Sequence, residues 1–152
     1  MVSLIGRVAV ITGAASGIGE ATARALVREG CHVALVDVDE KRLRAVEGTL
    51  LDSARVKVSR HCIDVADARA VERCRAEVEA RHESVDVLVN NAGVTYSSLA
   101  AKTDLRDLEW LFGVNFFGAV HCIQSFLPAL RASGHGHIIN VSSVFGIIGM
   151  PA

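Results

Sequence analysis

Eight residues near the start, Thr12-Gly13-Ala14-Ala15-Ser16-Gly17-Ile18-Gly19, have the makings of an anion cradle. Glycines permit a tight turn and let backbone approach a ligand closely. A helix starting inside such a loop offers unpaired N–H groups and a positive dipole end. A pyrophosphate suits that environment. The spacing is G-x3-G-x-G rather than the commoner G-x-G-x-x-G, and Gly19 still allows close helix–strand packing. Gly13, Ser16, Gly17, Ile18 and Gly19 are the candidate phosphate-site residues.

Asp37 stands twenty positions beyond Gly17. A carboxylate there can accept hydrogen bonds from a ribose diol and would repel a 2′-phosphate. Losing such a charged hydrogen bond costs about 1.5–3 kcal/mol, enough for a clear preference. Ser16 and Val38 bring no positive charge, so NAD is favoured over NADP. The alternative is that Asp37 only caps the next helix, a task Asp39 fills better. Asp64 either accepts from an adenine amino group or is an exposed turn residue. In Asn90-Asn91-Ala92-Gly93 the amides can tie strands together, while Ala92 and Gly93 leave room for a ligand. Structural and binding roles both stay open for this tetrad.

These residues need a scaffold, and the pattern supplies one. Short apolar runs at 7–12, 31–36, 56–63, 85–90 and 137–141 read as strands. Helical spacing separates them. The first helix is expected to bury Ile18, Ala21, Ala25 and Leu26, and to stop at Gly30. Asp39 caps a helix burying Leu43, Val46 and Leu50. Asp67 caps one burying Val71, Cys74 and Val78. Thr103 is expected to cap a long helical region with Leu105, Leu108 and Phe112, bent near Asn115 and continuing past Leu127. The fold class is α/β: a doubly wound parallel sheet of Rossmann type, covered on both faces.

The chain of 152 residues suits one domain, 1–152. Apolar residues form 51% and charged residues 22%, with net charge −1. That balance gives no general pull toward nucleic acid or acidic membranes. No apolar run approaches membrane-spanning length, and the first residues do not read as a signal peptide. Cys31, Cys62, Cys74 and Cys122 read as buried, reduced thiols of a cytoplasmic protein. His135-Gly136-His137 makes a poor metal site without further ligands, so no metal is expected. Trp110, Phe112, Phe116 and Phe117 at helical spacing read as core or subunit interface.

Taken together, these segments resemble the short-chain dehydrogenase/reductase family from about Gly6 onward. Thr12-Gly13-x-x-x-Gly17-x-Gly19 is similar to its cofactor loop, and Asp64-Val65 to its adenine-contacting pair. Asn90-Asn91-Ala92-Gly93 resembles its NNAG segment. Asn115 lies where the family carries a catalytic-site Asn, and Ile139-Asn140-Val141-Ser142-Ser143 resembles the segment bearing the active Ser. The resemblance implies a hydride transfer between NAD and an alcohol or carbonyl substrate. It implies that Ser143 hydrogen-bonds the substrate oxygen and that Asn115 holds a relay water. Homo-oligomers formed through the long helix are also implied. On the residues alone, Ser143 could be a turn former and Asn115 a helix-bending polar residue.

The family's general acid/base is a Tyr about a dozen positions beyond the active Ser, followed four residues later by a Lys. The only tyrosine here is Tyr96, and Lys41, Lys57 and Lys102 make no Tyr-x-x-x-Lys. The sequence is therefore expected to be the first three-fifths or so of a longer enzyme, truncated before the catalytic Tyr/Lys helix. Alone it is expected to lack dehydrogenase activity and to aggregate through an exposed fifth strand. Two other functions compete. One is a non-catalytic NAD-binding or interaction protein; the other is a Rossmann-like methyl transferase, which explains neither the NNAG segment nor Ser143. Tyr96, Ser97 and Phe145 are candidates for the substrate pocket.

Overall fold

Five Val-, Ile- and Leu-containing segments pair side by side in a computed structural model that describes residues 3–53 and 56–144. They are β1 (Val8–Thr12), β2 (His32–Asp37), β3 (Val58–Cys62), β4 (Val87–Asn90) and β5 (His137–Asn140). Every pairing is parallel, in the order β3-β2-β1-β4-β5. The order reverses direction between β1 and β4. That reversal parts the loops leaving the two strands and opens a crevice at their carboxyl ends.

Alternation divides the core into two layers. Ala9, Ile11, Val33 and Leu35 pack with Ala23, Val27, Leu43 and Val46 of α1 (Gly17–Arg28) and α2 (Glu40–Ser53). Val10, Ala34, Val36 and Leu88 pack on the other face with Val71, Cys74 and Val78 of α3 (Ala68–His82). The same layer takes Cys122, Phe126 and Leu130 of α5 (Gly118–Ala132). Asp39 and Asp67 cap α2 and α3 as expected, accepting from Arg42 N–H and from Arg69 and Ala70 N–H.

Two helix expectations need correction, and one about the aromatic residues. The buried face of α1 is Gly19, Ala23 and Val27; of the expected residues only Leu26 packs against the core, partly buried, and Ile18, Ala21 and Ala25 do not. Gly19 begins it because Gly13 of the loop and Asn91 after β4 leave no room for a Cβ there. Asp104, not Thr103, caps α4 (Leu105–Phe112): its carboxylate accepts from Arg106 N–H, while the Thr103 hydroxyl donates to Leu99 C=O. The bend at Asn115 is one π-helical turn, Gly113–Phe117, joining α4 to α5. Trp110, Phe112, Phe116 and Phe117 all stand exposed, so none belongs to the core.

The continuous helix Leu105–Ala132 spans 28 residues and is long and apolar enough to cross a membrane by length and composition. The sequence reading anticipated this long helical region but not its membrane-compatible composition, because Asn115, His121, Gln124 and Ser125 interrupt every apolar run. Here Val114, Gly118, Cys122, Phe126 and Leu130 form its buried stripe. β5 is exposed along its whole length, as expected. Cys31, Cys74 and Cys122 are buried, but Cys62 is exposed at the end of edge strand β3. Burial pushes the buried thiols up, Cys31 to about 11 and Cys74 and Cys122 to about 12.

The inward positions of β3 are polar. The Ser59 hydroxyl lies 2.9 Å from His61 Nε2 and 2.7 Å from His82 Nε2. His61 Nδ1 lies 3.0 Å from Glu77 Oε2. Ser59, His61 and His82 are all buried, and His82 Nδ1 has no partner among the described residues.

Candidate functional site

Gly13 and Gly17 both take positive φ, +65° and +55°, which glycine adopts without strain. Between them the loop turns sharply from β1 into α1. Ser16 is the helix N-cap, yet its side chain makes no capping hydrogen bond. The first-turn N–H groups are thus not taken up by a side-chain cap. Gly19 does not line the crevice. It lies buried under the loop, where a Cβ would stand 2.1 Å from Gly13 O and 2.6 Å from Asn91 Nδ2. Its role in this structure is close packing.

Thr12, at the end of β1, ties the loop to the segment after β4. Its hydroxyl oxygen accepts from Asn91 N–H and Ala92 N–H, each at 3.0 Å. The same hydroxyl donates to Val89 C=O at 3.4 Å. Asn91 Nδ2 donates back to Thr12 O at 3.0 Å and Gly13 O at 3.2 Å. Asn90 Nδ2 donates to Asn140 Oδ1 at 2.8 Å, joining β4 to β5. Both asparagines therefore do structural work.

The resulting crevice has a volume of about 470 Å³. Gly13, Ser16, Gly17 and Ile18 line one end. Asp37, Asp64, Val65, Asn91, Ala92 and Gly93 line it further along. Ile18, at 64% exposure, is thus an exposed apolar residue because it faces this space. Asp37 does not cap α2. One of its oxygens accepts from Ala15 N–H in the glycine loop, and the other from Asp39 N–H, both at 3.0 Å. Asp64 accepts from Ala66 N–H at 2.9 Å. The sequence reading gave no lining role to Val36, Ile63, Val94, Trp110 or Val114. No Lys or Arg lines the crevice among the described residues.

A second cavity adjoins it, sharing Val65, Ala92 and Val114. Asn115, Asn140 and Ser142 line this one. The Asn115 amide pairs with both backbone groups of Val94: its Oδ1 accepts from the N–H at 2.8 Å, and its Nδ2 donates to the C=O at 2.9 Å. Ser143 lies exposed just past β5 and is not among the lining residues. Tyr96 and Ser97 lie on the stretch after β4 and line neither cavity; Phe145 lies outside the described residues.

The profile of the short chain dehydrogenases matches residues 7–152. The chain belongs to the short-chain dehydrogenase family. Among family relatives, the oxidoreductase SadH of Mycobacterium tuberculosis is 42% identical over 152 residues, covering 99% of this chain and 54% of its own. A short-chain dehydrogenase/reductase of Burkholderia phymatum, solved in complex with NAD, superposes with a TM-score of 0.92 at 34% identity. It covers all of this chain, and 54% of its own length is matched. An alcohol dehydrogenase of Thermococcus sibiricus, complexed with 5-hydroxy-NADP, gives 0.91 at 35% identity, over 95% of this chain and 61% of its own. The chain thus spans about half the length of these family members. Its sheet is that of a short-chain dehydrogenase, and these two solved relatives carry NAD and 5-hydroxy-NADP.

Proposed function

We propose that this chain is the cofactor-binding portion of an oxidoreductase that moves a hydride between NAD and an alcohol or carbonyl carbon. The observation that carries the choice of NAD is Asp37. Its carboxylate stands on the crevice wall, fixed by two backbone N–H groups, with Ser16 and Val38 beside it and no cation among the described lining residues. Each carboxylate oxygen keeps a second lone pair for a ribose hydroxyl. A 2′-phosphate there would meet an uncompensated negative charge.

The residues fit the group. Gly13, Ser16, Gly17 and Ile18 hold the pyrophosphate against the start of α1, and Asp37 takes the ribose diol. Asp64 and Val65 border the base, and Asn91, Ala92 and Gly93 floor the middle of the site. NAD supplies a hydride acceptor at its nicotinamide ring when bound. Ser143 would donate to the substrate oxygen as charge develops there. Asn115 shapes the adjoining cavity by pinning Val94 and the π turn. The sequence has no Tyr-x-x-x-Lys, so these 152 residues bind cofactor without turning substrate over.

Calorimetric titration with NAD, NADP and S-adenosylmethionine tests the reading. NAD is expected to bind tightest, and Asp37→Ala to weaken it by about tenfold or more, the equivalent of one charged hydrogen bond, while narrowing the gap to NADP. Tighter binding of NADP, or binding of the methyl donor alone, would overturn it.

A further inference from the structure

We propose that Trp110 forms a wall of the base site, its indole packing on the adenine and becoming buried when cofactor binds. This rests on the cofactor reading above. Trp110 is the sole tryptophan, 49% exposed, and it lines the crevice. A large aromatic half in water, on the wall of a cavity, has apolar surface still to bury.

The placement of α4 decides which part of a dinucleotide meets it. Trp110 sits one turn ahead of Val114, and both line the crevice. The following turn lies against the loop after β3: a Cβ on Gly113 would stand 3.7 Å from Ala66 Cβ, and one on Gly118 would crowd Val65. β3 is the sheet edge opposite β5, where Ser142 and Ser143 follow. Trp110 lines this crevice and not the adjoining cavity that Ser142 lines, so it belongs with Ile63 and Asp64, away from the serines.

Those surroundings match an aromatic base. Ile63, Val65, Val94 and Val114 give apolar walls, Asp64 gives one acceptor, and the indole gives a π face. Every base has a π face, so stacking adds affinity without hydrogen-bond readout. Removing such a partner weakens binding by about tenfold, within the range found for base–aromatic stacks.

Three measurements test this on the chain as it stands. Titration with NAD should change tryptophan emission saturably, with the Kd found by calorimetry. Trp110→Ala should weaken NAD and AMP by the same factor, about tenfold, and leave nicotinamide mononucleotide unaffected. Trp110→Phe should restore most of the loss. Circular dichroism melts should match the parent, since the side chain is half in water. If Trp110→Ala binds NAD and AMP like the parent, or emission stays constant at calorimetric saturation, the proposal is overturned. If the parent chain binds no NAD in the calorimeter, the cofactor reading itself falls, and this proposal with it.

Discussion

Acidification from pH 7.5 to 5.0 should cost this fold about 2 kcal/mol through His82 alone. The cause is proton bookkeeping in the cluster under β3. His61 donates from Nδ1 to Glu77 and accepts the Ser59 O–H at Nε2. Ser59 Oγ then has only lone pairs left, so His82 must donate to it from Nε2. His82 Nδ1 is left as a bare lone pair without a partner. Protonating it would bury an N–H with no acceptor. Desolvation by burial, with the nearby charges of His32, His61, Lys57 and Arg81, pushes the His82 pKa down to about 4 from its ordinary 6.5. His61 is also lowered, by burial, with Arg81 adding to the drop and Glu77 and Glu47 opposing it. A depressed histidine leaves the unfolded chain binding more protons below pH 6.5, so stability falls as pH falls toward 4. The whole difference is about 3 kcal/mol, of which about 2 is spent by pH 5.0. Glu40, Asp67 and Glu72 are held below the ordinary carboxylate range by hydrogen bonds, so they stay ionised throughout that window. Urea unfolding followed by circular dichroism at both pH values measures the loss. His82→Gln, whose amide can still donate to Ser59, should remove most of it. An unchanged midpoint between the two pH values, or a variant with the parent's full pH dependence, would refute this proton assignment.

Other substitutions probe the site. Gly19→Ala should destabilise by about 1–3 kcal/mol and abolish NAD binding in a calorimeter, because its Cβ meets the Gly13 carbonyl and the Asn91 amide. Thr12→Val should cost about 2–4 kcal/mol in chemical unfolding, since two N–H groups lose their acceptor together. One thiol, Cys62, should react promptly with Ellman's reagent in the native chain, and all four after unfolding. Four fast thiols in native buffer would show that the three buried cysteines are not shielded.

The strands and their alternation with helices could be read in advance because each strand is an apolar run with its own turn signals. β1, β2 and β5 fall within a residue of the expected runs. The glycine loop, Asp37, Asp64 and the Asn91–Gly93 segment were legible as crevice residues because each follows directly from a strand end. Most of what failed depended on neighbours distant in sequence. The face of α1 was misjudged at Ile18 because apolar size pointed there, whereas the space beneath the loop takes the adjacent Gly19 and has no room for a Cβ. Trp110 looked like core or subunit interface because its spacing is helical. Only the docking of α4 beside the loop after β3 brings it to the crevice. Thr103 and Asp104 are adjacent cap candidates, and the choice turned on which side chain reaches the Arg106 N–H.

The Asn91 amide has a consequence for transplanting this site. It would stand 2.8 Å from a Cβ at Gly13 and 2.6 Å from one at Gly19, while bonding the carbonyls of Thr12 and Gly13. The glycine loop and the asparagine are two halves of one joint, though more than seventy residues separate them. A loop grafted into another scaffold without its asparagine would arrive with two carbonyls deprived of that donor. A chimera whose crossover falls between them should keep its pocket only if both parents carry the same pairing.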